Sequence, residues 1–294
     1  MSKHTVAVIS LVFVMLVWGS SFPITKMAVA ELPPVLFAFL RFTVASIILL
    51  AIFLIKGKKT GPKFPFLTIV LMGLSGITFY YIFFNFSLKY TSASIGALLQ
   101  GFIPVIIALM AAIFLKEKLS FRQLAGILIS IVGVIFVGFI AAPPGNASNP
   151  LVGNLLMIVS IFSWAIYTIL SKKVAALDPV IVITFLTWAG TLFLVPAVLF
   201  ELKDQPWPRP SLSAWMAVIY LGAAASALGY ILYNSALEHL SAAQVGNFLN
   251  LDPVVGALLA FFFLHEKILF WQVAGSVLVL IGVWLSAGSN KAKE

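Results

Sequence analysis

Apolar residues fill this chain in ten long blocks, and polar or turn-forming residues are confined to the short stretches between them. The blocks fall at 5–26, 35–55, 64–88, 92–115, 120–141, 151–172, 179–200, 211–237, 240–264 and 268–287. A helix that crosses a bilayer needs about 20 mostly apolar residues. The pattern therefore predicts an all-α membrane protein of about ten transmembrane helices. Local chemistry marks several edges. Asp178 followed by Pro179 reads as an N-cap and first helical position. Ser120 with Gln123, and Ser241 with Gln244, fit a capping box. The stretch 142–150, rich in Pro, Gly, Asn and Ser, reads as a linker between a first unit at 1–141 and a second at 151–294.

Composition agrees with that class. Of 294 residues, 62% are apolar and only 9% are charged, against about a quarter charged in soluble domains. Lipid must replace water over most of the surface. The chain has no cysteine, which excludes disulfides, thiolate metal sites and cysteine nucleophiles. His4, His239 and His265 are scattered, without zinc-site spacing. No Gly-rich phosphate loop and no serine elbow is found, and no cofactor is expected. The net charge of +9 reads as loop charge and not as a nucleic-acid surface, because the basic residues lie between apolar runs.

Those basic residues also orient the chain. With the N-terminus inside, twelve Lys and Arg fall on the inner side and five on the outer, which predicts both termini in the cytoplasm. The first block is too long for the core of a cleaved signal peptide, and Pro23 to Lys26 separate it from the small residues after it. It is expected to remain as a spanning helix in the inner (plasma) membrane.

The two units repeat. A shift of 149 residues places Tyr81 on Tyr230, Asn85 on Asn234, Pro104 on Pro253 and Glu117-Lys118 on Glu266-Lys267. The same shift carries Gly126 and Gly133 onto Gly275 and Gly282. A shift of 146 pairs Trp18 with Trp164 and Pro33 with Pro179. Five spans per unit is an odd number, so the second unit is expected to be inverted in the membrane. Inverted repeats are common in secondary transporters, where one half moves against the other around a central site.

The residues Trp18-Gly19-Ser20-Ser21-Phe22, Arg41-Phe42 and Glu117-Lys118-Leu119 before Gln123-x-x-Gly126 carry a family resemblance. The last pattern recurs at Glu266-Lys267-Ile268 before Gln272-x-x-Gly275. In these motifs the chain resembles the EamA family of the drug/metabolite transporter superfamily over nearly its whole length. The resemblance implies ten helices in inverted halves, with the first, third, fourth, sixth, eighth and ninth around a cavity and the fifth and tenth peripheral. It implies transport of amino acids, other metabolites or toxic compounds, often outward. The copies differ: Arg41 aligns with Thr187, and Ser20-Ser21 with Ile166-Tyr167, so any site is asymmetric.

Candidate site residues follow. At 100° per residue, Thr78, Tyr81 and Asn85 share one helix face, as do Ser226, Tyr230, Tyr233 and Asn234. Such groups offer contacts to a polar substrate or hydrogen bonds between helices. Trp18, Ser21, Tyr81, Asn85, Trp164, Tyr167, Tyr230 and Asn234 form the candidate substrate-binding set. Pro104 and Pro253 fall near mid-span and predict a kink in each half, as a hinge or a static bend. Arg41, about two turns into its span, either snorkels to the outer interface or attracts an anion. Asp252 lies about twelve residues into the ninth span, where an ionised carboxylate is costly unless paired or hydrated. With Pro253, Asn247 and Asn250 nearby, it is the candidate for proton coupling.

The sequence therefore reads as a secondary transporter of small metabolites or drugs that works by alternating access, and the family resemblance implies outward transport. Its partners are a small-molecule substrate, the lipid bilayer and, through Asp252, protons; nucleic acid is not expected, and the oligomeric state is open. The alternative is a membrane-embedded enzyme or lipid flippase, although Asp252 is the sole carboxylate deep in a predicted span.

Overall fold

The computed structural model describes residues 3–56, 64–114, 119–139, 147–174, 176–203, 207–237 and 248–287. Among these there is helix and no strand. The spans are α1 (Lys3–Glu31), α2 (Pro34–Lys56), α3 (Phe66–Tyr90), α4 (Ala93–Phe114), α5 (Phe121–Gly138), α6 (Pro150–Val174), α7 (Pro179–Leu202), α8 (Leu212–Ala236), α9 (Leu251–Leu264) and α10 (Phe270–Ala287). The first eight are long and apolar enough to cross a membrane, and α9 and α10 are shorter in the described residues. Large apolar side chains such as Leu128, Phe262, Phe263 and Trp284 remain exposed on the outside of the bundle, as a lipid solvent requires.

Several edges form as their chemistry dictates. Ser120 and Gln123 make the capping box of α5, and Asp178 Oδ1 accepts the Val180 N–H at 2.9 Å to start α7. Asn149 caps α6 ahead of Pro150. The Ser241 and Gln244 pair lies outside the described residues, as do Glu117-Lys118, Asn247, most of the linker, and most of the basic loop after α2. Unlike its expected end at 26, α1 continues through Pro23 to Glu31.

Three spans are not uniform. In α3 the residues Leu74–Phe79, and in α8 the residues Leu221–Leu228, wind as π-helix. The 149-residue shift carries one segment onto the other. The helix α4 is divided at Gly101 and Phe102, where the N–H groups of both reach back only three residues, to Leu98 and Leu99. The matching position in the second half is Asn250, at the start of α9. The expected proline kinks are thus helix breaks two or three residues before Pro104 and Pro253.

The packing repeats as well. α1 packs on α9 and α6 on α4; α2 packs on α8 and α7 on α3; α3 packs on α6 and α8 on α1. Exchanging the halves maps each pair onto its mate, while α2–α7 and α5–α10 map onto themselves. In the α5–α10 pair a methyl on Gly133 would stand 2.6 Å from the Gly275 carbonyl oxygen, and one on Gly282 would strike the Gly126 carbonyl. Between these, Ser130 Oγ donates to the Val279 carbonyl. As the α5 number rises its α10 partner falls, so the two helices cross antiparallel.

Candidate functional site

Where seven spans meet, both halves wall one cavity of about 50 Å³, room for roughly four waters. Its lining comprises Trp18, Ser21 and Phe22 of α1, Arg41 of α2, and Tyr80, Tyr81 and Phe84 of α3. Gln100, Gly101, Ile103 and Pro104 of α4, Trp164 of α6, Tyr230 of α8, and Leu249, Asn250, Asp252 and Pro253 around the start of α9 complete it. The two helix breaks thus open directly onto the cavity.

Aromatic rings form most of the wall. Trp18 packs at 6.2 Å from Trp164, 5.8 Å from Tyr230 and 5.3 Å from Tyr233. Trp164 in turn meets Tyr80 at 5.1 Å and Tyr167 at 4.9 Å. Phe22 meets Phe84 at 5.5 Å. The Trp18 indole N–H donates to the Ala225 carbonyl at 3.0 Å. That carbonyl lies in the π-helical part of α8, where the wider winding leaves backbone groups for other partners. Gly229 makes the approach possible: a methyl there would stand 2.8 Å from the indole nitrogen. The repeat places Tyr80 opposite Gly229, so Trp164 meets a phenol where Trp18 meets a glycine.

Arg41 is 1% exposed and does not snorkel. Its Nε donates to Ser226 Oγ at 2.8 Å and Nη2 to the Tyr81 hydroxyl at 3.3 Å. The guanidinium sits 4.6 Å from the Tyr81 ring centre, a cation–π contact in a desolvated place. Its Nη1 is buried with no hydrogen-bond partner. On the α9 side, Asp252 Oδ1 is likewise buried and unpartnered. Gln100 Nε2 donates to the Tyr80 hydroxyl at 2.9 Å.

Of the candidates read from sequence, Trp18, Ser21, Arg41, Tyr81, Pro104, Trp164, Tyr230, Asp252 and Pro253 line the cavity together. Asn85, Tyr167 and Asn234 are not among its lining. Asn85 is fully buried and its Nδ2 donates to the Pro34 carbonyl at 2.9 Å. Asn234 Nδ2 returns to the Tyr230 carbonyl, and Tyr167 fills the space that Gly76 leaves. Ser21 turns its hydroxyl onto the Trp18 carbonyl. Thr78 bonds the Gly190 carbonyl of α7 and not the cavity, because the π-helical turns before Tyr80 rotate it away from the face that 100° steps assign. The same rotation brings in Tyr80, which the sequence reading missed along with the Gln100 side chain. No trio of His, Cys, Asp or Glu that could hold a metal occurs among the described residues.

The family model for EamA-like transporters matches the chain twice, at residues 5–139 and 151–288. An uncharacterized transporter of Archaeoglobus fulgidus is 32% identical over 95% of this chain and 96% of its own length. A Salmonella typhimurium protein named "Probable amino-acid metabolite efflux pump" is 29% identical over 93% of this chain and 92% of its own. A Streptantibioticus cattleyicolor protein named "Probable terminal-alkyne amino-acid exporter" is 27% identical over 96% and 94%. A solved crystal structure superposes with a TM-score of 0.66 at 20% identity, covering 95% of this chain and 96% of that one, which shows a shared fold. With the family model spanning both halves and a relative above 30% identity along nearly the whole chain, this multi-pass membrane protein belongs to the EamA-like transporter family and is a transporter, not an enzyme.

Proposed function

We propose that this chain exports small metabolites, amino acids or related compounds among them, or drugs, by alternating access between two inverted halves. The observation that carries the reading is the shared cavity: each half contributes a tryptophan, a tyrosine and a proline to it. Inversion is supported by the antiparallel α5–α10 crossing, since halves related by an axis along the membrane normal would run those helices parallel. Outward direction is supported by the names of two relatives. The twelve-to-five distribution of basic residues supports an inner-membrane protein with both termini cytoplasmic.

In this reading the substrate lies against Trp18, Ser21, Tyr81, Trp164 and Tyr230. Asn85, Tyr167 and Asn234 support those walls from behind. The break before Pro104 lets the two parts of α4 move separately, and the turn at Asn250 lets α9 pivot where it begins. A proton taken up at Asp252 on one side and released on the other drives exchange. The test is saturable counterflow in proteoliposomes, for a panel of metabolites and drugs, with and without an imposed pH gradient. A folded protein that exchanges nothing in such a panel would refute the carrier.

A further inference from the structure

Three carboxylates tie the halves to each other at one end of the bundle. It is the end away from Lys3, where α1, α7 and α9 finish and α2, α4 and α8 begin. Glu31 of the first half accepts the Ser211 N–H and hydroxyl of the second, both at 2.8 Å. Glu201 of the second half accepts the N–H groups of Val35 and Leu36 of the first, at 3.1 and 2.9 Å. Glu266 of the second half accepts the N–H groups of Ala93 and Ser94 at 2.9 and 2.8 Å, and the Ser94 hydroxyl at 2.5 Å. Each carboxylate thus meets donors at the start of a helix in the other half, where the helix itself offers no acceptor. Capping alone does not call for this. α4 has its own cap in Ser92, which accepts the Ile95 N–H, and α8 has one in Ser211, which accepts the Ala214 N–H. The set is also one-sided. Glu266 is matched in the repeat by Glu117, outside the described residues, but Glu31 is matched by Leu177 and Glu201 by Ile55. At that opposite end Asp178 caps its own helix, α7.

We propose that these clasps, with Glu266 as the principal one, are a gate of the carrier. They hold this end shut in the contracted state, and their release opens the cavity toward the side that this end faces, the outer side in the orientation proposed above. The inference rests on the reading of the chain as a carrier whose halves exchange access. Bonds of this kind reverse readily. All three carboxylates keep some exposure, so water can take over both the acceptor and the freed N–H groups once the halves part. The clasped helices are those that wall the cavity. α1 carries both Trp18 and Glu31, α4 runs from Ala93 to Gln100, and α8 runs from Ser211 to Tyr230. Movement at their ends is therefore passed to the site. Glu266 is the principal clasp because it joins α9 to α4, the pair that meets the cavity at the Asn250 turn and at the Gly101 break. It also takes three donors, and His265, at φ 52°, turns it across to them.

The test places a thiol in the cavity of the full chain by Ile103→Cys and measures its labelling by an impermeant maleimide from each face of sealed vesicles. Glu266→Ala is expected to raise the outer-to-inner ratio of labelling rates about tenfold. Glu266→Gln, which keeps one acceptor oxygen, should give a smaller rise, and Glu31→Ala should move the ratio the same way. Ser92→Ala is the control, because it removes the cap of α4 and no bond between the halves. It should lower the unfolding temperature and leave the ratio within about twofold. An unchanged ratio in folded Glu266→Ala would overturn the gate and leave Glu266 a helix cap. So would a rise in Ser92→Ala as large as in Glu266→Ala. If Glu266→Ala does not fold, Glu266→Gln decides by the same ratio. The assay needs no substrate. A folded protein that exchanges nothing from the panel of metabolites and drugs would refute the carrier, while these rates decide separately whether the clasps hold the end shut.

Discussion

Asn85 illustrates how a repeated polar residue divides between fold and site. It matches Asn234 in the repeat, yet its Nδ2 is committed to the Pro34 carbonyl at the first turn of α2. Asn85→Ala is therefore expected to cost about 0.5–1.5 kcal/mol of stability by removing one buried hydrogen bond. Apparent substrate affinity should stay within about twofold, since no cavity contact is lost. Thermal unfolding in detergent and counterflow measure the two effects separately, and a large affinity loss at unchanged stability would return Asn85 to the site. The contrary case is Tyr80. Its Gly229 counterpart hides it from a search for repeated residues, and its role depends on a helix phase that the letters do not carry. Gln100 escaped notice for a related reason: its counterpart is Leu249, so symmetry gave it no weight. Arg41 and Asp252 were legible because charge in an apolar span is rare enough to stand out alone.

At the scale of elements, the apolar blocks located the described ends of the spans to within about five residues, the start of the ninth block lying outside the described residues, because burial in lipid leaves little freedom in where a helix begins. The π-helical segments of α3 and α8 left no comparable trace, since a slightly wider turn needs no change in hydrophobicity. Their matching positions argue that they belong to the repeat. Ends of helices are joined by carboxylates. Glu201 accepts the N–H groups of Val35 and Leu36, and Glu31 that of Ser211. Glu266 accepts the N–H groups of Ala93 and Ser94 at 2.9 and 2.8 Å. Each thereby caps the exposed donors of a neighbouring helix. His265, in the left-handed region at φ 52°, ends α9 and turns Glu266 toward α4. Glu266→Ala should lower stability by about 1–3 kcal/mol, while Glu266→Gln, whose single amide oxygen can keep one of the two backbone bonds, should recover part of it. Equal unfolding temperatures for wild type and Glu266→Ala would show that water caps α4 as well. The α5–α10 seam offers a second test. Gly133→Leu drives a side chain into the Gly275 carbonyl, and overpacking of this kind costs about 1–3 kcal/mol. The same change at Leu128, which faces outward, as Leu128→Phe, should be near neutral.

For the whole molecule, the contracted cavity and the antiparallel seam make one argument about motion. A site with room for roughly four waters cannot admit a metabolite without separation of the walls, and the walls belong to different halves. The break in α4 and the turn at Asn250 before α9 lie where separation would act, both open to the cavity. If the halves rock about the seam, a residue on the α4 wall must meet water from each side of the membrane in turn. The chain contains no cysteine, so one introduced thiol reports without background. Ile103 lines the cavity, is partly buried and stands opposite Asp252 in the repeat, and Ile103→Cys keeps an apolar side chain there. An impermeant maleimide is expected to label this cysteine from either face of sealed vesicles, slowly in the contracted state. An imposed pH gradient should speed labelling from one face and slow it from the other, and Asp252→Asn should abolish that reciprocity while leaving basal labelling intact. Labelling from one face alone under every gradient would make the cavity a static vestibule. Labelling from both faces at rates that rise together would make it a pore, and only the opposed response belongs to a carrier whose halves exchange access.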